Sequence, residues 1–188
     1  MKDLKEFEDL FKEFAPYGKP LHLAQDVKDA KIEIPETIPM SNEWKKNQKK
    51  MFWWGNPDLY NSKEFKQENE LRTRLIEIGG ENAAINGIDI SFKNINIFDL
   101  IFNYGQLLYA GYDVIIDPFS NYNNCHISSK IFYSANKNSV KICTGYALSD
   151  DGLWREHSWI ITKNKCIIER THIRRLAYYG VVLPDLEA

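Results

Sequence analysis

Apolar residues in the first half of the chain recur with the spacing of helices. Between Lys2 and Phe14 they return every three or four residues, with charged residues between them, which is typical of an amphipathic helix. Glycine and proline punctuate the pattern and set the limits of each element. We predict helices over residues 2–14, 41–54, 63–78 and 98–110, and a short strand over residues 88–97, where apolar and polar residues alternate.

The second half of the chain has the pattern of strands, interrupted by one helix. Residues 125–135 follow two asparagines that can cap a helix, and Ile127 and Ile131 lie on one face of it. The strands predicted over residues 157–162 and 166–171 are separated by Lys-Asn-Lys, a hairpin signal in which Asn164 can take a left-handed conformation. The predicted strands are residues 112–116, 140–148, 157–162, 166–171 and 178–183.

This order of elements predicts an α+β fold, because helices come first and one further helix then precedes an antiparallel sheet. We divide the chain into a mainly helical N-terminal region, residues 1–110, and a core formed by residues 111–188 on which it packs. A chain of 188 residues with 44% apolar residues can bury a substantial core. We therefore expect the two parts to form one compact unit.

Charge and cysteine content narrow the class of protein. A net charge of −2 argues against a nucleic-acid partner, which would require a basic surplus. We expect no membrane association, since no window approaches 18 consecutive apolar residues, and no signal peptide, since the first residues alternate in charge. Three cysteines without close spacing indicate a reducing compartment. The expected location is the cytoplasm, or export without a cleavable signal peptide.

Cys125 is the first residue whose position suggests chemistry. It follows Asn123 and Asn124, so we expect it in the first turn of its helix. The unpaired N–H groups and the positive dipole end there favour a thiolate, and the same groups can donate to an oxyanion. The alternative is that Cys125 is a small buried residue at a helix start.

His157 and Glu169 can complete a site around this cysteine. We expect His157 to open its strand, exposed at one end of the sheet. A three-residue turn in the following hairpin pairs His157 with Thr171 and Trp159 with Glu169, so that all four share one face. The β-carbons of His157 and Glu169 then lie roughly 5–8 Å apart. Glu169 can hold one imidazole nitrogen and leave the other for Cys125, whereas a one-residue slip would move Glu169 to the opposite face.

A cysteine at a helix start, then a histidine on a strand, then an acid or amide on the next strand is the order found in papain-like thiol enzymes. The compact arrangement here resembles the NlpC/P60 group, and the resemblance implies a papain-like core in which the Cys-bearing helix packs on an antiparallel sheet. It also implies that Cys125 is the nucleophile, His157 the general base and Glu169 the residue that orients it. The segments that carry the resemblance are residues 123–132, 157–161 and 166–171, within a span of residues 112–183.

Two positions depart from the usual pattern of these enzymes. His126 follows the nucleophile, where a small or aromatic residue is more common, and Glu169 stands where His, Asn, Asp or Gln is usual. Both leave the subfamily open. Residues 144–159 also resemble segments of uncharacterised bacterial and phage proteins, which implies no function.

Several neighbouring residues can each have either a functional or a structural role. Asn121 or Asn124 can donate to an oxyanion or can serve a turn or cap. Trp154 and Trp159 can line a cleft or can simply pack in the core. Arg155, Arg174 and Arg175 can bind an acidic group or the terminus of the substrate, or can remain solvated surface residues.

The residues together predict a cysteine-nucleophile hydrolase or acyltransferase that acts on an amide or isopeptide bond. Peptidase, amidase and glutamine deamidase chemistry all fit, with a peptide, protein or small amide as the substrate. No metal or cofactor is expected, because no Cys-x-x-Cys or His-x-x-x-His spacing occurs. The alternative is a non-catalytic, phage-associated interaction module in which Trp44, Trp53 and Trp54 supply the interface.

Overall fold

The computed structural model describes residues 2–16, 18–20, 63–85, 91–92, 95–108, 113–117, 124–171 and 175–185. Within these ranges the fold is mixed α+β. The helices are α1 (Lys2–Phe14), α2 (Lys63–Ile78), α3 (Ile97–Tyr104) and α4 (Cys125–Asn136). The strands are β1 (Lys19–Pro20), β2 (Asn82–Ala84), β3 (Ser91–Phe92), β4 (Ile95–Asn96), β5 (Gln106–Leu108), β6 (Asp113–Ile116), β7 (Val140–Ser149), β8 (Leu153–Thr162), β9 (Cys166–Glu169) and β10 (Arg175–Val182).

One curled sheet organises the described part of the chain. Its strands follow the order β1-β5-β10-β7-β8-β9-β6, and β2 pairs in addition with β8. The β2–β8 and β6–β9 pairs are parallel, and the other pairs in this sheet are antiparallel. Strands β1, β2 and β5 come from the N-terminal region, so that region contributes directly to the same sheet as the C-terminal core.

The long strand β8 has an edge that two partners share. Along one edge it pairs with β7 from Trp154 to Thr162. Along the other edge, β2 pairs with residues 153–155 and β9 pairs with Ile160 and Ile161. His157 lies in the interval between these two partners, where no strand covers the edge of β8 within the described ranges.

Helices α1 and α2 have the limits that the apolar spacing predicted. Each buries one stripe of residues in the main core, Phe7, Phe11 and Phe14 from α1 and Leu71, Leu75 and Ile78 from α2. The predicted helix over residues 41–54 lies outside the described residues. None of the helices in the described ranges is long and apolar enough to cross a membrane.

Two predictions around α3 were wrong. The helix predicted over residues 98–110 ends at Tyr104, where the Gly105 N–H bonds to Ile101 O at 2.9 Å. The next residues form β5, because they pair with the distant strand β10. The strand predicted over residues 88–97 is reduced to the ribbon of β3 and β4 in the described part, and Ile97 already belongs to α3 because the Asn96 side chain caps that helix.

The turn between β7 and β8 is tighter than the sequence suggested. Gly152 has φ 78° and its N–H bonds to Ser149 O at 3.0 Å, while Asp151 Oδ1 accepts from Leu153 N at 3.1 Å. Strand β8 therefore begins at Leu153, and the expectation that His157 opens the strand was wrong. His157 is the fifth residue of β8 and is only 1% exposed.

The register of the β8–β9 hairpin is the predicted one. The observed pairs are Ile160 with Ile168 and Ile161 with Ile167, and this register places Trp159 opposite Glu169. The left-handed residue of the turn is Lys165, with φ 62°, and not Asn164 as we expected. A three-residue hairpin loop characteristically carries its left-handed residue last, after a type I turn.

Candidate active site

Helix α4 brings Cys125 to the sheet. Cys125 is its first residue, and the Asn124 side chain caps the helix by accepting from Ile127 N at 3.2 Å. The helix is anchored on β8 by Ser129, whose hydroxyl donates to Ser158 O at 3.2 Å. The Cys125 side chain stays half-buried, so a reactive sulfur at the positive end of the helix would remain open to a small reagent.

His157 and Glu169 form a buried pair beside this helix start. Nε2 of His157 lies 3.0 Å and 2.9 Å from the two carboxylate oxygens of Glu169, and both residues are almost completely buried. Glu169 also accepts from Thr171 N at 2.9 Å, from the Thr171 hydroxyl at 2.8 Å and from the Tyr178 hydroxyl at 3.0 Å. Four donors therefore fix the carboxylate, and the carboxylate fixes the imidazole.

The remaining nitrogen of His157 is available to the thiol. Since Nε2 faces Glu169, Nδ1 is the atom that can interact with Cys125. Burial works to raise the pKa of Cys125, but hydrogen bonds with His126 and His157 outweigh it and lower the pKa to about 5. Burial likewise works to lower the pKa of His157, while the bonds to Cys125 and Glu169 raise it. The combination favours a thiolate beside an imidazolium.

Glu169 completes this electrostatic arrangement. Burial works to raise the pKa of its carboxyl group, but the hydrogen bond to His157, the His157 charge and the bonds from Thr171 lower it. The rings of Trp159 and Tyr178 each lie 6.3 Å from the imidazole of His157, centroid to centroid. The imidazole is thus held by one charged partner and walled by aromatic rings.

His126 is a second imidazole at the thiol, and sequence reasoning assigned it no role. Its Nδ1 lies 2.6 Å from the Ser158 hydroxyl, and its Nε2 lies 3.4 Å from Glu156 Oε1. Hydrogen bonding to Cys125 raises the pKa of His126 more than burial lowers it. The only available signal was its position next to Cys125 in the first turn of α4.

Replacing His126 with alanine is expected to raise the pKa of Cys125 by about one unit, because the thiolate loses one of two hydrogen-bonding imidazoles. The pH at half-maximal alkylation of Cys125 by iodoacetamide measures this change. Ile127→Ala is the matched control, since Ile127 is exposed in the same turn, and it should leave the midpoint unchanged. An unchanged midpoint in His126→Ala would contradict the proposed contact.

The other predicted site residues serve as a helix cap, lie in the core or bind neighbouring side chains, except for two that lie outside the described residues. These two are Asn121 and Arg174, and Asn124 serves as the cap of α4. Trp154 and Trp159 are both 0% exposed, so neither presents a surface to a substrate here. Trp154 donates to Gly79 O at 2.9 Å on the α2 side. Arg155 is half-buried and bound to Asp151 and Ser149.

The remaining cysteines do not share the properties of Cys125. Cys143 is fully buried, and burial raises the pKa of its thiol well above the usual value. Cys166 is only partly covered, and burial together with Asp113 raises the pKa of its thiol. Within the described ranges, no group of three or more His, Cys, Asp or Glu side chains could hold a metal ion.

Comparison with known proteins adds no family to this description. No protein-family model, no curated protein and no solved structure matches the chain. The chemistry of the site therefore has to be argued from the residues themselves, above all from the contact of Cys125 with His157 and of His157 with Glu169.

Proposed function

We propose that the protein is a papain-like cysteine hydrolase or acyltransferase that acts on an amide or isopeptide bond of a peptide, protein or small amide. The observation that carries this proposal is the chain of contacts from the Cys125 thiol through His157 to the buried carboxylate of Glu169. A nucleophile, a base and a group that orients the base together form an arrangement suited to nucleophilic acyl transfer. Peptidase, amidase and glutamine deamidase activities share this chemistry.

The reaction would begin from the thiolate–imidazolium pair. The Cys125 sulfur attacks the carbonyl carbon, and the carbonyl oxygen becomes an oxyanion. Nδ1 of His157 then gives its proton to the leaving amine, and an acyl-enzyme remains. A water molecule, or an acceptor amine in a transferase, loses a proton to His157 as it attacks the acyl group, and the thiolate leaves. Glu169 stabilises the imidazolium throughout.

The first turn of α4 offers donors for the oxyanion. The first main-chain bond of the helix type runs from Ser128 N to Asn124 O, and Ile127 N is taken by the Asn124 side chain. The N–H groups of Cys125 and His126 precede these bonds, so the helix geometry provides them with no acceptor. An oxyanion formed next to the sulfur would lie at this positive helix end.

The arrangement of the core supports a papain-like relationship. A helix that starts with the cysteine packs on β8, and the histidine and glutamate follow on β8 and β9 in the hairpin register that brings them to one face. The resemblance to the NlpC/P60 group rests on this same order. The departures at His126 and Glu169 remain, and both side chains contact members of the triad.

Alkylation of the native protein by iodoacetamide tests the nucleophile. At pH 6 we expect selective modification of Cys125, roughly tenfold faster than that of N-acetylcysteine amide. The pKa of about 5 makes Cys125 largely thiolate at this pH, and the lower intrinsic reactivity of an acidic thiolate limits the gain. Mass spectrometry of proteolytic fragments locates the label, and the rate profile should have its midpoint near pH 5.

Cys166→Ala is the control, because it removes a second partly exposed thiol without touching the triad, and it should not change the total labelling rate at pH 6. Slow and equal labelling of all three cysteines would reject the enzyme proposal. That result would favour the non-catalytic interaction module instead.

A further inference from the structure

Two arginines lie beside the proposed triad, on the face of the sheet that carries His157. Arg155 precedes His157 by two residues on β8, so its side chain points to the same face about 7 Å along the strand. Arg175 opens β10 opposite Ser149 of β7. Both guanidinium groups donate to the Ser149 hydroxyl, Arg155 at 2.9 Å and Arg175 through a short contact. The pair therefore forms one cationic cluster.

Only one arginine of this cluster is hydrogen-bonded to a carboxylate in the described part of the chain. Arg155 is matched by Asp151, which accepts from both terminal nitrogens of its guanidinium group. Burial lowers the pKa of Arg175 and the charge of Glu169 raises it, but the Glu169 oxygens already accept from His157, Thr171 and Tyr178. Within the described residues Arg175 has the neutral hydroxyl of Ser149 as its hydrogen-bond partner. Arg175 therefore has no carboxylate among its hydrogen-bond partners in the described part of the chain.

Arg175 is also incompletely bonded. The residue is 9% exposed, and its buried Nε has no hydrogen-bond partner. A buried charged group normally has its donors satisfied, because desolvation without compensation is costly. The charge of Arg175 opposes protonation of His157. The charge of Cys125 in turn stabilises the guanidinium group of Arg175. Arg175 therefore has an unpaired donor, and it lies on the face of the sheet that carries His157.

We infer that Arg175, supported by Ser149 and Arg155, is a carboxylate-binding subsite that selects substrates with an acidic group close to the scissile amide. A guanidinium group presents two parallel N–H donors that match the two oxygens of a carboxylate. The inference rests on the proposed function and specifies its substrate class. The carboxylate belongs either to a glutamate-like side chain or to a free C-terminus of the substrate.

The ratio of alkylation rates of Cys125 by iodoacetate and by iodoacetamide tests this subsite. The two reagents react by the same displacement and differ in that iodoacetate carries a carboxylate. We expect this ratio at pH 8, where the thiol is ionised, to be about tenfold higher for Cys125 than for N-acetylcysteine amide. In Arg175→Gln the ratio of rates should fall to the value found for N-acetylcysteine amide. Because each ratio compares two reagents on one thiolate, a change in its nucleophilicity cancels.

Three further variants make the result specific. Arg175→Lys keeps the charge and should retain most of the elevated ratio. Arg155→Gln should lower it less than Arg175→Gln does, because the charge of Arg155 is already matched by Asp151. Arg74→Gln, on α2 and paired with Glu70, is the matched control and should change nothing. The measurement on the native protein remains decisive if a variant fails to fold.

A native ratio equal to that of N-acetylcysteine amide, or one that survives in a folded Arg175→Gln, would overturn the subsite. Selective labelling by neutral iodoacetamide at pH 6 is a separate result. If that labelling succeeds and the ratio test fails, the subsite falls and the proposed function stands. If selective labelling at pH 6 does not occur, the proposed function itself is rejected.

Protection experiments distinguish the two sources of the carboxylate. N-acetylglutamic acid α-amide offers only a side-chain carboxylate, and N-acetylalanylalanine offers only a C-terminal one. The compound that slows alkylation of Cys125 by iodoacetamide more strongly identifies the source, and its effect should disappear in Arg175→Gln. Protection that persists in this variant would contradict binding at Arg175.

Discussion

Replacing His157 with glutamine is expected to lower turnover of p-nitrophenyl acetate by about 10²–10⁴-fold, the range associated with loss of a general acid–base group. Glutamine can still donate a hydrogen bond to Glu169, so the buried carboxylate keeps a partner, but it cannot carry a proton between thiol and water. The released p-nitrophenolate measures the rate. The midpoint of the alkylation profile of Cys125 should also rise above the native value of about 5.

Two comparisons make this result interpretable. Cys125→Ala should remove the thiol-dependent turnover completely, and Cys166→Ala should retain the native rate because Cys166 lies at the start of β9 and does not belong to the triad. Circular dichroism establishes that each variant is folded. A folded His157→Gln protein with at least a third of the native turnover would exclude His157 as the base.

The second large effect is expected on stability. Glu169→Ala should lower the free energy of unfolding at pH 6 by roughly 3–5 kcal/mol, the cost of removing one partner from a buried ion pair. The change removes the acceptor of four buried donors, namely His157 Nε2, the Thr171 hydroxyl and N–H, and the Tyr178 hydroxyl. Urea denaturation of both proteins measures the difference.

The contribution of the pair depends on pH in both directions. The folded-state pKa of Glu169 is lowered, so its contribution is complete above the unfolded value near 4.3 and is lost as pH falls through the folded pKa. The folded-state pKa of His157 is raised, so its contribution is complete below about 6.5 and is lost as pH rises through the folded pKa. The stability difference between native protein and Glu169→Ala should therefore be largest between about pH 4.3 and 6.5.

Glu70→Ala provides the matched control for the loss of a glutamate. Glu70 forms an ion pair with Arg74 on α2, and their side chains are 56% and 12% exposed, so removal of Glu70 should cost about 1 kcal/mol. If Glu169→Ala costs as little as Glu70→Ala, or if the stability difference is flat between pH 4 and 8, the buried pair does not have the assigned strength.

The helices α1, α2 and α4 could be predicted from the sequence because their signals are local. A three- to four-residue apolar period gives the buried stripe, and glycine or asparagine at the ends gives the limits. The same reasoning extended α3 too far. The signal that ends α3 is the pairing of Gln106–Leu108 with β10, about 70 residues away in the chain, and no local pattern contains it.

The site divides in the same way. Cys125 at the start of α4 follows from its asparagine cap, and the proximity of Glu169 to His157 follows from the length of one hairpin turn. The sequence did not reveal that His157 is buried in the middle of β8. It also did not reveal that Tyr178 and Arg175 approach from β10, since that strand reaches the site only through its pairing with β7.

The sequence by itself therefore determined the period of each helix, the cap beside Cys125 and the hairpin that aligns Glu169 with His157. These features depend on interactions between residues a few positions apart. Only the tertiary structure decided which strands share the edge of β8, which donors surround Glu169 and that Nε of Arg175 has no hydrogen-bond partner. Those outcomes depend on burial and on pairing between distant segments, which set the hydrogen-bond partners and the pKa of every group in the site.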